Sequence, residues 1–259
     1  MTENNAKLLE INYESQLEAL RDIGLLGEGE RIGLGEIADY MKWAGGLLDV
    51  QLAKVDKTTG KLALMTTDAW DAMSSNLQGN YMTVGVRVRA ERQDFLISKS
   101  DMKTAGGAYT MKWSNEASDV VGLTNYGDGS TGMYEDFDAK GMTDAIVAYA
   151  SARGVEYLGG QLSRSYKACT VADDGVDDPV EWSMATIAHL RLMSKYRKEI
   201  NAVISTYIGS SYVLQSDVYW SATEHSNYYA YRMHLGSGFV NGSNTKFNLN
   251  FRVRAVSAL

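Results

Sequence analysis

The C-terminal stretch constrains the fold more than any other part of the chain. From Tyr219 it reads YWSATEHSNYYAYRMHLGSGFVNGSNTKFNLNFRVRAVSAL. An aromatic anchor, Tyr219-Trp220-Ser221, and an apolar strand, Val253-Arg254-Ala255-Val256, bracket a middle of another kind. Residues 225–251 hold two of the three histidines, three of the five phenylalanines and five asparagines, with no Asp or Glu. Apolar–polar alternation is poor there, so burial does not account for the aromatics. Strand propensity for Tyr, Phe and Thr, with turn propensity for Asn and Gly, is the plainer reading. Against it, Tyr, Asn, Ser, His and Arg are the residues of binding surfaces, where rigid amphipathic rings sit beside adaptable hydrogen-bonding groups. A scaffold must carry such a segment between two anchored ends.

The rest of the chain supplies material for that scaffold. A helix is expected within residues 1–27, with Leu17, Leu20 and Ile23 at helical spacing, and another over about 34–43. Leu48–Val55 alternates as a strand, KTTGK at 57–61 is a turn, and Leu62–Met65 returns as the second arm of a hairpin. Thr67 is placed to cap a short helix. Residues 1–78 therefore read as a small N-terminal domain and 79–259 as a larger one. In the larger one, Met82–Arg89 and Asp94–Ser98 read as paired strands, and 103–137 as long packed loops. Helices are expected at Met142–Arg153, Leu162–Cys169 and 185–208. The fold class is α+β, with short irregular strands and glycine-rich turns: the 259 residues include 25 glycines and a single proline.

Composition excludes several functions. A formal net charge of −7 argues against a nucleic-acid binder, which carries a basic face. No apolar run is long enough to span a membrane, and the polar, acidic start lacks the features of a signal peptide, so export is not expected. Catalytic signatures such as HExxH, CxxC, GxSxG and the Walker loop are missing. Gly127–Gly132 spells GxGxxG, but no strand–helix pair frames it, so it reads as a glycine-rich loop. His189 reads as a packed or surface residue. His225 and His234 lack a third ligand for zinc. Asp173, Asp174, Asp177, Asp178 and Glu181 offer the oxygen ligands that calcium prefers, yet their order departs from the EF-hand loop, and a solvated acidic loop is the expected state. Cys169 is alone and reads as a buried thiol. No enzyme activity, cofactor or metal site is expected.

Several segments together resemble a known family. Glu181-Trp182-Ser183-Met184-Ala185-Thr186-Ile187, Tyr196-Arg197, Glu199-Ile200-Asn201, Tyr219-Trp220-Ser221-Ala222-Thr223-Glu224 and Val253-Arg254-Ala255-Val256 look like the C-type-lectin-like domain of variable proteins from diversity-generating retroelements. That family shares its fold with formylglycine-generating enzymes and with phage receptor-binding tropism determinants. The chain departs from the usual wording at Met184-Ala185, where Leu-Pro is common, and at Ala222, where a second Ser is common. The paired catalytic cysteines of the enzymes and the sugar motifs of animal lectins are also missing.

The resemblance implies a C-type-lectin-like domain over 79–259 with a variable region at about 219–259, and an assembly or virion-attachment role for 1–78. It implies that AAC codons are rewritten as NNC codons, which cannot encode Lys, Met, Trp, Glu or Gln. Between His225 and Phe251 only Met233 and Lys246 fall outside that set. The expected ligand-contacting residues are His225, Ser226, Asn227, Tyr228, Tyr229, Tyr231, Arg232, His234, Ser237, Phe239, Asn241, Ser243, Asn244, Thr245, Phe247, Asn248 and Asn250. The expected partners are a bacterial cell-surface receptor, protein or polysaccharide, and other virion proteins. A homo-oligomer is expected, a trimer being one form, located in a phage tail or in the cytoplasm before lysis. The alternatives are a non-diversified structural domain and an enzyme of the formylglycine-generating type.

Overall fold

The computed structural model describes residues 48–259. The helices expected within 1–27 and 34–43 lie outside them. The chain divides into two compact units, residues 1–49 with 89–92 and residues 50–88 with 93–259, and the description below concerns the second and the strand ends and turn at 49 and 89–92.

Alternating residues build two of its strands, over 49–56 and 81–90, and runs of buried or partly buried residues build most of the others. β1 (Asp49–Asp56) and β2 (Leu62–Met65) form the expected hairpin. Two short helices follow, α1 (Thr67–Asp71) and α2 (Ser75–Gln78). The cap of α1 is Thr66, whose hydroxyl accepts from the Ala69 amide, one residue before the expected Thr67. β3 (Tyr81–Ala90) and β4 (Gln93–Asp101) come next. They turn at Glu91 and Arg92, both at positive φ (51° and 65°), a turn whose twist suits a two-residue hairpin. With the two-residue β5 (Ser183–Met184) and β9 (Arg254–Ala258) these strands make one sheet, in the order β2-β1-β3-β4-β9-β5. Because β1 is hydrogen-bonded beside β3, the boundary expected at 78 falls inside the second unit.

The helices cover this sheet. α3 (Ala139–Arg153) starts three residues before the expected Met142, because Asp138 caps it by accepting from the Gly141 amide. It buries Met142, Ile146 and Ala150. α4 (Leu158–Ser165) lies ahead of the expected 162–169. Gly159 and Gly160, poor helix formers on propensity, sit in its first turn for a packing reason. A Cβ at Gly160 would meet the Ile146 side chain at 2.6 Å, so only glycine lets α4 lie this close to α3. A single turn, α5 (Val171–Asp174), breaks the acidic loop. The long helix expected at 185–208 is two helices, α6 (Ile187–Lys195) and α7 (Arg197–Tyr207), with Tyr196 outside helical geometry between them. The turn lets Asn201 of α7 exchange two hydrogen bonds with the Leu214 backbone, at 2.8 and 2.9 Å.

A second sheet, β6 (Val218–Glu224), β7 (Tyr229–His234) and β8 (Phe239–Thr245), shares the core with the first. Trp113, Trp182 and Trp220 are fully buried there, beside Val253 and Ala255. Each indole N–H has an acceptor: the Ser221 carbonyl for Trp113, the Asp178 carboxylate for Trp182 and the Met111 carbonyl for Trp220. The architecture is α+β. Among the described residues no helix is long and apolar enough to cross a membrane.

Candidate functional site

The three-stranded sheet carries the bracketed segment as a hairpin on a locked base strand. β6 is held by the segment 185–187. The Ala222 amide donates to the Ala185 carbonyl, and the Thr223 hydroxyl accepts from the Ile187 amide. Residues of the quoted motifs thus meet in space: Ser183 and Met184 pair with Val256 and Ala255, and the Trp220 amide donates to the Arg252 carbonyl.

β7 pairs with β6 and β8. Tyr229 faces Thr245, Ala230 faces Asn244, Arg232 faces Asn241 and His234 faces Phe239. The β7–β8 register slips between Ala230 and Arg232, which leaves an extra residue on β8 at Gly242-Ser243. Glycine is required here. A Cβ on Gly242 would stand 2.6 Å from both the His225 and Tyr231 rings.

Two side-chain groups form on the hairpin. Toward the β7–β8 turn, the Arg232 guanidinium carbon lies 6.0 Å from the Phe239 ring centre and 5.2 Å from that of Phe251. Its Nε donates to Asn244 Oδ1 at 2.8 Å, and Asn244 in turn donates to the Asn241 carbonyl. Burial pushes the Arg232 pKa down, and no carboxylate pairs with it among the described residues. The arrangement is a planar cation, oriented by an amide and framed by rings, with donor capacity left for an incoming acceptor. Toward the β6–β7 turn, His225 lies edge-on to Tyr229 and Tyr231, and its Nε2 is 3.0 Å from Asp128 Oδ1. Tyr228 stands beside Tyr229, half exposed.

The expected contact residues divide by exposure. Asn227, Tyr228, Ser237, Phe239, Ser243, Asn248 and Asn250 are exposed. His225, Ser226, Tyr229, Arg232, His234, Asn241, Thr245 and Phe247 are partly covered. Tyr231 and Asn244 are inside, a correction to their expected role. The Tyr231 hydroxyl donates to the Tyr126 carbonyl at 2.6 Å, so its ring braces the hairpin instead of facing a partner. The two residues outside the NNC set are both interior. Met233 is 1% exposed and Lys246 0%.

Lys246 brings in residues that sequence reasoning missed. Its ammonium contacts the Glu224 carboxylate, donates to the Ser118 carbonyl at 2.8 Å and lies 4.8 Å from the Trp113 ring centre. Burial raises the Glu224 pKa to about 7 and lowers that of Lys246. Asp128 was also missed, because the GxGxxG loop that holds it reads only as a loop. Nothing local in the sequence links a carboxylate at 224 to an amine at 246, or 128 to 225.

The other candidates are structural. His189 is buried and its pKa is lowered to about 3 by burial. Burial raises the Cys169 thiol to about 11. In the acidic loop Asp178 points inward, accepting from the Trp182 indole and the Ala168 amide, while Asp173 accepts from the Thr170 hydroxyl. Among the described residues no group of three His, Cys, Asp or Glu is placed to hold a metal ion.

No protein-family model matches the chain, and no curated protein matches it. Among solved structures it is similar to a fimbrial protein from Bacteroides ovatus ATCC 8483, at 14% identity and a TM-score of 0.47, over 64% of this chain and 36% of that one. The chain thus spans about a third of that protein's length. At this score the likeness carries neither a fold nor a function.

Proposed function

We propose that the chain is a diversified ligand-binding protein with a C-type-lectin-like domain, a phage or prophage tail-tip adhesin that meets a bacterial surface receptor through the β7–β8 hairpin and its flanking turns. The observation that carries the reading is the sorting of residues by exposure. Tyr228, Phe239 and Leu249 are large apolar side chains left in water on one segment, 51%, 57% and 38% exposed. Tyr228 stands at the β6–β7 end of the hairpin and Phe239 at its β7–β8 end, so the hairpin offers an exposed aromatic anchor at each end. The same segment buries Met233 and Lys246, the two residues that rewritten AAC codons cannot produce. A scaffold that keeps such positions inside can change its surface without losing its fold.

Repetition of the surface in a homo-oligomer, assembled through residues within 1–78, would convert modest single contacts into firm attachment. The test uses labelled full-length chain on a panel of bacterial strains. Tyr228→Ser with Phe239→Ser abolishes or redirects binding and leaves the melting temperature unchanged. An unchanged strain profile in a folded double variant rejects the hairpin as the contact surface. Diversification is checked in the gene: the exposed positions carry C-ending codons, and a near-identical template repeat lies beside a reverse transcriptase gene.

A further inference from the structure

A polar cleft lies away from the hairpin. It has a volume of about 510 Å³ and is lined by the end of β4, the 102–109 loop, the end of α4 and residues 211–212, with no residue of 225–251 in its wall. That volume is in the range of small-ligand pockets. Its wall alternates cations with phenol rings. Lys103 Nζ is 4.6 Å from the Tyr109 ring centre, and Lys99 Nζ is 5.9 Å from that of Tyr212. The Tyr166 hydroxyl and Ser100 Oγ share a hydrogen bond at 3.2 Å.

The charge on the wall is unbalanced. Asp101 also lines the cleft, but its carboxylate is taken by Arg252 at 3.0 Å, Arg254 at 2.9 Å and the Tyr219 hydroxyl at 3.1 Å. Lys167 faces Asp177 at 3.7 Å. Lys99 donates to the Ala168 carbonyl, a neutral partner, and neither Lys99 nor Lys103 has an ion-pair partner among the described residues. In a chain of net charge −7, two ammonium groups without a carboxylate partner thus lie on one wall, beside the exposed Tyr109 ring and the partly covered Tyr212 ring.

We infer that this cleft binds an acidic saccharide, its carboxylate held by Lys99 and Lys103 and its apolar face packed beside the Tyr109 ring. Ammonium groups select the anion as point charges. Phenol rings add flat apolar faces with polar tips, and the Ser100 and Ser165 hydroxyls suit a ligand rich in hydroxyl groups. A simple anion would have no use for the rings, and an acidic peptide presents fewer hydrogen-bonding groups to Ser100 and Ser165 than a sugar does. The site is separate from the hairpin and stands or falls without it.

Calorimetric titration of the full chain with trigalacturonate tests the inference, with maltotriose, sulfate and a triaspartate peptide as comparisons. Trigalacturonate binds, and its affinity falls as salt rises. The three comparison probes bind at least about tenfold more weakly. Lys103→Gln, at an exposed side chain, weakens trigalacturonate binding by about tenfold, and adding Lys99→Gln weakens it further. Tyr228→Ser with Phe239→Ser leaves this binding unchanged. The inference is overturned if trigalacturonate gives no heat at millimolar concentration, if maltotriose, sulfate or the peptide binds as tightly, or if Lys103→Gln melts like wild type and binds like it.

Discussion

His189 illustrates how a single side chain ties stability to pH. Its ring lies edge-on between Phe95 and Phe137, with centre separations of 4.8 and 4.9 Å. The Thr186 hydroxyl donates its one proton to the Asp136 carbonyl, so it accepts at His189 Nδ1, which must carry the hydrogen. Burial depresses its pKa to about 3, so the folded imidazole is neutral at pH 7, with its hydrogen on Nδ1. The unfolded chain takes up the proton near 6.5, the folded chain only near 3, so stability is full above about 6.5 and declines as pH falls below it. At pH 5 the loss is about 2 kcal/mol. Urea unfolding at pH 7 and pH 5 checks this. His189→Asn lowers stability at both values, yet its loss between them is smaller than that of wild type by that amount. An equal loss in both proteins would place the acid sensitivity elsewhere. The sequence placed His189 only on an amphipathic helix face. The two phenylalanines that desolvate it come from β4 and from the loop before α3, beyond any local window.

At the scale of elements, the hairpin is tied down by one buried ion pair. Glu224 ends β6, and Lys246 follows β8. The Glu224 carboxylate also accepts from the Val120 amide, at 3.3 and 3.4 Å. The pair thus fastens the strand, the hairpin and the 113–120 loop to one another. A buried pair contributes little net stability over an apolar replacement, but stranding one partner is costly. Burial holds the Glu224 pKa at about 7, above its unfolded value of 4.5, so its contribution is full below about 4.5 and is lost as pH rises through 7. Lys246→Met removes the countercharge and raises the carboxyl further. The variant loses roughly 3–5 kcal/mol at pH 8 and clearly less at pH 5, where the carboxyl is protonated. Glu224→Gln added to Lys246→Met restores most of the loss and removes its pH dependence. A loss that is the same at both pH values would show that Lys246 acts by packing alone. Strands with clean alternation, such as β1 and β3, were legible in the sequence. The break between α6 and α7 was not, because no Gly or Pro marks it and its cause is the distant Leu214 backbone.

Over the whole molecule, interior and display surface are interleaved residue by residue along one hairpin. Trp113, Trp182 and Trp220 bind the two sheets into a common core, and the indole hydrogen bonds of Trp113 and Trp220 fix where β6 lies. On that base, β7, β8 and the turn before β7 present Tyr228, Phe239 and Ser243 outward and turn Tyr231, Met233 and Asn244 inward. The composition of residues 225–251 made the segment visible in the sequence, and its bracket placed it between anchored strands. On β8 the inward Asn244 was not legible, because the β-bulge at Gly242-Ser243 breaks the two-residue period by which a strand's faces are read, whereas Tyr231 and Met233 on β7 keep that period. Interleaving predicts a sharp contrast in stability along a few consecutive residues. Asn244→Ala removes the acceptor of Arg232 Nε and costs about 1–3 kcal/mol. Single replacements of Tyr228 by Ser, Ser243 by Ala and Asn248 by Ser, all at exposed positions, shift stability by about 0.5 kcal/mol or less. Urea unfolding of the four variants at pH 7 measures the contrast. If the exposed positions cost as much as Asn244, the hairpin is part of the folding core and is not free to vary; if they cost little, surface change and fold retention coexist on the same strands.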